Sequence, residues 1–435
     1  MSFAAIAMFA LFFYWAAVGM PIGHAMLAAC FVYLFISGQD IGLVASQSLN
    51  GLFNSFVLIA VPLFILSADI MNASKITDRL FQFANLLVGR LRGGLAHVNV
   101  VASIIFSGMS GSALADAAGP GKLEVDMMVK AGYAPGFAAA LSTTSAIIGP
   151  IIPPSIPMVL YGLVSNTSIL YLFIGGIIPG LLLGLAQMGV IAAIAKKRNF
   201  PVEPVPTRRE AVRTVGDATP ALLLPVIMLG GIYSGAVTPT EAAAVAAAYA
   251  LLLALFWYRT LDLRGFVNVL VESARSTGVV AITIAGALVM NWVVAAEQLP
   301  AVLGGWMLHM DVSPLGFLLM VNVLFLALGC FLDTLLMLLI IVPMLMPTVH
   351  ALGIDPVHFG VVAVVNMMIG LVTPPMGELL FLISGVSGIE LHSIMRELWQ
   401  FLVVLIVLLF VFVFVPELTL WLPEQAGYIP VRPDG

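Results

Sequence analysis

Apolar residues run along this chain in long blocks parted by short polar breaks. Blocks near 3–18, 22–37, 49–71, 169–195, 218–234, 239–258, 276–295 and 398–415 approach the length of about 20 residues that carries a helix across a hydrocarbon core. Each predicts a membrane span. Two longer regions do not fit that scheme. Residues 94–130 and 314–349 are apolar at both ends, yet broken midway by Ser107-Gly108-Met109-Ser110-Gly111-Ser112 and by Gly329-Cys330-Phe331-Leu332-Asp333. A straight span would not carry such breaks; a re-entrant hairpin, which enters the membrane and turns back, would.

The chain also contains its own duplicate. The pattern I-G-x-x-x-P-P occurs at Ile148 to Pro154 and at Ile369 to Pro375, inside apolar stretches both times. Gly132-Tyr133-Ala134-Pro135 matches Gly353-Ile354-Asp355-Pro356 at the same offset, since 353 − 132 and 369 − 148 both equal 221. Paired Gly/Pro interruptions at equivalent places in two halves of a membrane protein point to the binding site of a secondary transporter.

Composition extends the membrane reading to the whole chain. Hydrophobic residues make up 61% and charged residues 9%, against roughly 25% charged in a soluble domain, and the mean hydropathy is +1.12. The 435 residues leave no room for a soluble catalytic module, and no nucleic-acid partner is expected. Cys30 and Cys330 stand alone in apolar runs, without metal-ligand or disulfide spacing, and are assigned to packing. Phe3 to Val18 has no basic residue before it, so it is expected to remain as a span rather than be cleaved as a signal peptide. The six tryptophans lie near predicted span ends, as interfacial anchors do.

Charge asymmetry supplies the orientation. If both broken regions are re-entrant, 16 of the 17 basic residues fall on one face, with Arg432 the exception. That face is cytoplasmic by the positive-inside rule, and both termini lie outside. The first hairpin then opens to the cytoplasm and the second to the opposite side, which makes the repeats inverted. The predicted fold class is an all-α polytopic membrane protein with inverted repeats, two re-entrant hairpins and two broken helices, of the elevator type.

Unwound backbone at membrane depth needs partners for its carbonyls. Pro153, Pro154, Pro374 and Pro375 lack amide donors, so carbonyls near Gly149 to Ile152 and Gly370 to Thr373 lose theirs. Hairpin-tip oxygens from Ser107, Ser110 and Ser112, and from the backbone of Gly329 to Phe331, face them. A sodium ion in each half would suit such donors. A lone Pro-Pro site would read as an ordinary kink; duplication at fixed offset argues for ion binding. Asp116 and Asp333, separated by 217, are read as equivalent groups flanking the ion sites. Their alternative role is capping a hairpin helix. Thr238-Pro239-Thr240-Glu241 reads as a capping box. Glu378, just past Pro375, fits either structural pairing or binding of an ion, proton or cationic group, and Ser112, Ser155 and Glu378 are placed near substrate.

Five segments, SGMSGSALAD (107–116), GYAPGFAAA (132–140), IGPIIPPSIPM (148–158), GIDPVHFG (353–360) and TPPMG (373–377), resemble the large membrane subunit of tripartite ATP-independent periplasmic (TRAP) transporters, the DctM-like permeases. The resemblance covers nearly the whole chain. It implies sodium-coupled import of a small organic anion across the bacterial inner membrane by an elevator mechanism. It also implies two partners, a small four-helix membrane subunit of the Q type and a periplasmic substrate-binding protein. Carried over by residue, one sodium site uses Ser107, Gly149, Ile152 and Pro154, largely through backbone oxygen. The other uses Gly329, Gly370, Thr373 and Met376. Ser110, Asp116 and Asp333 support these sites or bind an additional ion. The chain departs from the family pattern at Glu378 and Leu379, where an apolar residue and Asn are more usual, and has an insertion-like Gly119-Pro120-Gly121.

The reading divides the chain into scaffold helices 1–72, a cytoplasmic amphipathic arm 73–93, a first transport repeat 94–164, a scaffold helix 165–195 and a cytoplasmic linker 196–217. Scaffold helices 218–297, an external arm 298–313, a second transport repeat 314–388 and a C-terminal scaffold helix with tail 389–435 follow. Two other functions fit parts of the pattern. A stand-alone sodium- or proton-coupled anion carrier would take up free substrate. An intramembrane aspartyl protease would bring Asp116 and Asp333 together, although neither has a G-x-G-D setting.

Overall fold

The computed structural model describes residues 2–54, 56–74, 76–202, 207–300 and 312–431. Lys75, Trp306, Arg432, part of the linker 196–217 and most of the arm 298–313 lie outside the described residues. Every regular element among those described is helical. Among the described residues, seven helices are long and apolar enough to cross a membrane, including Phe56–Ala73, Ile169–Ala195, Leu263–Ala296 and Leu391–Phe414.

Several helices outrun their apolar blocks. Leu263–Ala296 starts well before residue 276 because the Asp262 carboxylate accepts from the Gly265 N–H at 2.8 Å and caps it there. Arg208–Tyr233 starts at a Thr207/Glu210 capping box, ahead of residue 218. Polar residues mark where such a helix leaves the apolar layer, not where it ends. The predicted box at Thr238 and Glu241 is present, with the Thr238 N–H donating to Glu241 at 2.7 Å. Arm residues Ile76–Val88 form an amphipathic helix burying Ile76, Leu80 and Ala84 along one face, and Arg79 lies 3.6 Å over the Tyr258 ring.

The helices pack in two groups. Phe3–Ala17, Ile22–Ser37, Gly42–Asn54, Ala60–Ala73, Pro239–Leu252 and Leu263–Ala296 pack mainly on one another, and Arg208–Tyr233 joins them through Pro239–Leu252 while also packing on Ile76–Val88 and Gly94–Ser110. The broken regions form a second body, in which the far half of each broken helix lies on the opposite repeat. Glu378–Ser387 packs on Pro135–Ala146, and Ile156–Ser165 packs on Pro356–Gly370. Ile169–Ala195 and Leu391–Phe414, read above as scaffold helices, pack on this body and on each other. The cause is local. Gly176 and Gly180 admit the Ile151 carbonyl and the Ile152 side chain, the Phe137 and Phe401 rings lie 5.9 Å apart, and Arg198 pairs with Glu397 at 2.7 Å.

Gly176→Ala would drive a methyl into the Ile151 carbonyl, which is backbone and cannot swing aside. The expected cost is about 1–3 kcal/mol, read as a lower melting temperature in detergent. An unchanged melting temperature would show that this approach is not tight.

Candidate functional site

Each broken helix begins on the repeated Gly-x-x-Pro element. Gly132 and Gly353 take left-handed backbone (φ 92° and 64°), and Pro135 and Pro356 occupy the first turn, where a missing N–H costs nothing. The helices Pro135–Ala146 and Pro356–Gly370 then stop, and both breaks contain a cis peptide, Pro153-Pro154 and Pro374-Pro375. Helix resumes at Ile156 and at Glu378.

In the first half the loop is closed by Ser155, which donates to the Pro150 carbonyl and accepts from the Met158 N–H at 3.1 Å. Ser155 is fully buried and is not part of the wall of the cavity described below, which its neighbours Ile156 and Pro157 line. Its hydroxyl is consumed in shaping the loop. Hairpin arm Gly94–Ser110 ends at Gly111 (φ 62°), which abuts the Pro154 carbonyl and accepts from the Ile156 N–H at 3.4 Å. A Cβ on Gly149 would strike Asp116 Oδ2. Ser110 Oγ and Asp116 Oδ2 are both buried without a hydrogen-bond partner, and both residues border a cavity of about 10 Å³, near the minimum for one water-sized species. The Ser107 hydroxyl, one turn earlier, donates to the Ile104 carbonyl at 2.5 Å, leaving its lone pairs unused. Asp116 therefore abuts Gly149 of the unwound loop and Gly111 abuts the Pro154 carbonyl, while the Ile152 side chain turns toward Gly180.

The second half repeats the contact with different atoms. Gly329, at the end of Pro314–Gly329, lies against Gly370 so closely that a Cβ on Gly370 would sit 2.8 Å from the Gly329 Cα. The Thr373 hydroxyl donates to the Ile369 carbonyl at 2.6 Å, and the Leu379 N–H reaches back to Leu371 at 3.1 Å. Met376 is 57% exposed, so its side chain stands outside this cluster.

Asp116 and Asp333 are not equivalent. Asp333 takes the N-cap position of the second return arm, as Ser112 does in the first, and 333 − 112 equals the repeat offset of 221. Asp116 sits a turn later, where the second half has Met337, whose sulfur approaches Gly329. The separation of 217 misled because a carboxylate occurs at different helical positions in the two copies. The π-helical turns Ala117–Gly121 and Met337–Ile341 occupy matching places in the return arms, so the bulge is not peculiar to Gly119-Pro120-Gly121.

Between the two tips opens a cavity of about 510 Å³. Ser110 to Ala115, Pro150, Asp333 to Leu335 and Glu378 line one side; Asp69, Glu272 and Ser276 from the first helix group line the other. An adjoining cavity of about 470 Å³ shares Asp333 and Glu378 and reaches Gly329 and Met376. Glu378 itself is exposed to this space and forms no ion pair among the described residues.

Three features escaped sequence reasoning. Asp69 interrupts an apolar block, the signal that marked Asp116. Glu272 lay outside the apolar block that underestimated its helix. A buried tie joins each hairpin to its broken helix: Ser145 donates to Asn99 Oδ1 at 2.7 Å, and Asn366 donates to Asn322 Oδ1 at 2.7 Å. Ser145 and Asn366 stand 221 apart, so extending the repeat would have found them. Asn99 further binds Glu124 at 2.6 Å.

Residues 9–418 match the family model described as the tripartite ATP-independent periplasmic transporter, DctM component. The chain belongs to the DctM family. It is 47% identical over 407 residues to the sialic acid TRAP transporter large permease protein SiaM of Vibrio cholerae, covering 93% of this chain and 95% of that protein. It is 42% identical to the C4-dicarboxylate large permease DctM of Pseudomonas aeruginosa over 86% of this chain and 87% of that one. A third relative, the 2,3-diketo-L-gulonate large permease YiaN of Escherichia coli, is 39% identical over 92% and 95%. The solved structure of the Alcanivorax borkumensis YdaH transporter superposes with a TM-score of 0.60 at 14% identity, covering 88% and 87% of the two chains, and this shows likeness of fold. As a DctM-family large permease the chain is a multi-pass inner-membrane transport component, which works with a small permease and a periplasmic binding protein. It is not a protease, so the aspartates need no shared proton.

Proposed function

We propose that this DctM-family permease imports a small organic acid with inward-moving sodium. The acid is handed over by the periplasmic binding protein, and the hairpin body rides as an elevator against the first helix group and a four-helix Q-type subunit. Both termini then face the periplasm. The observation that carries the reading is the first hairpin tip, where Asp116 abuts Gly149 of the unwound loop, Gly111 abuts the Pro154 carbonyl, and Ser110 and Asp116 border one small cavity. Buried oxygens without partners are costly in an apolar medium, and a cation offsets that cost where a water-sized space adjoins them. Around Gly329, Gly370 and Thr373, unwound carbonyls and one hydroxyl would hold a second ion. Relatives named for sialic acid, C4-dicarboxylate and diketogulonate favour an organic acid as cargo. The division into two packed groups favours the elevator. Between the groups, the Asn291 amide donates to the Leu339 carbonyl at 2.7 Å, and Pro225 lies against Gly108.

A sodium titration of uptake tests this assignment. Thr373→Ala removes an oxygen but leaves the fold-defining prolines, and is expected to raise the sodium concentration for half-maximal uptake about tenfold. Sodium activation identical to the parent would remove Thr373 from the site.

A further inference from the structure

The large cavity holds the wrong charge for a simple dianion. Its lining includes Asp69, Glu272, Asp333 and Glu378 and no Lys, Arg or His among the described residues. Among the described residues only Glu272 of these four pairs with a cation, Arg275, 3.6 Å away at the exposed rim. Asp69 lies within electrostatic reach of Glu272, and Glu378 within reach of Asp333, so both walls are acidic. One sodium ion for each unwound loop would still leave a carboxylate unbalanced. The same lining also offers neutral donors. The Ser110 and Thr334 hydroxyls belong to residues 7% and 6% exposed, and neither oxygen has a hydrogen-bond partner. A carboxylate could accept from those hydroxyls while an opposite, positive end answered the acids.

We infer that the transported acid also bears a cationic nitrogen, which Glu378 holds with Asp333 on the hairpin side and Asp69 faces from the other wall; this builds on the organic-acid reading above. The substrate class is therefore zwitterionic. Glu378 becomes a specificity-determining residue, since it borders both cavities, as Asp333 does, and alone of these acids stands at the start of a far half-helix.

The test uses the large and small subunits purified together, with Cys30 and Cys330 replaced by alanine and Ser276→Cys placing a single thiol on the cavity wall. A cationic methanethiosulfonate should modify that thiol about tenfold faster than an anionic one, after correction for their rates with glutathione. In saturating sodium, 4-aminobutyrate should slow modification and the near-isosteric dianion succinate should not. Glu378→Gln should abolish that slowing, and Glu378→Asp should retain it. Equal or reversed reagent rates, protection by succinate, protection by neither acid, or protection that survives Glu378→Gln would each overturn the inference. Sodium-gradient uptake by the full complex is scored separately, so loss of sodium dependence would sink the transport reading without altering the charge result.

Discussion

Gly370→Ala is expected to abolish uptake while leaving the protein inserted and folded. The new methyl would lie 2.8 Å from the Gly329 Cα and 3.0 Å from its carbonyl carbon, and neither backbone atom can rotate away. Overpacking of this kind costs about 1–3 kcal/mol. Here it falls on the contact that brings the second hairpin tip to its unwound loop. The hairpin must withdraw, and the oxygens of Gly370 and Thr373 part from those of Gly329. Sodium-dependent thermal stabilisation of the purified complex should shrink with uptake. The control is Gly385→Ala in the neighbouring half-helix, where nothing lies within 4 Å of the added carbon. If Gly370→Ala and Gly385→Ala transport equally well, the Gly329–Gly370 contact has no part in the site.

Asp116→Asn should leave the fold intact, because the amide matches the carboxylate in shape, and should weaken sodium about 10- to 100-fold. Asp116 is 4% exposed, its Oδ2 has no hydrogen-bond partner, and it presses on Gly149 of the unwound loop. Such a charge in a membrane segment demands a counter-charge, and no Lys or Arg among the described residues pairs with it. Removing the charge removes the demand. The check is the sodium dependence of uptake alongside the melting temperature without sodium. Unaltered sodium affinity would leave Asp116 a structural residue of the return arm.

The sequence made the larger architecture legible because its signals are long or repeated. Apolar blocks locate helices, and the duplicated Gly-x-x-Pro and Pro-Pro elements fall where both broken helices begin and stop. Other parts were hidden for physical reasons. Apolarity ends at the membrane boundary but capped helices continue, which concealed Glu272 on Leu263–Ala296. Packing preference lies in small residues facing a partner, so the glycines of Ile169–Ala195 reveal their neighbour only when Ile151 and Ile152 are seen against them. Matching carboxylates by separation paired Asp116 with Asp333, whereas the repeat register pairs Asp333 with Ser112. The acidic cavity wall needed three dimensions, since Asp69 and Glu378 are far apart in sequence.

The most direct measurement is uptake by the complete tripartite system in proteoliposomes, using a radiolabelled acid bound by its periplasmic protein, with membrane potential clamped and the sodium gradient varied alone. Accumulation should occur only with sodium higher outside and should reverse when the gradient reverses. Equal accumulation with potassium or choline in place of sodium on both sides would contradict ion binding at the paired unwound loops as the source of coupling.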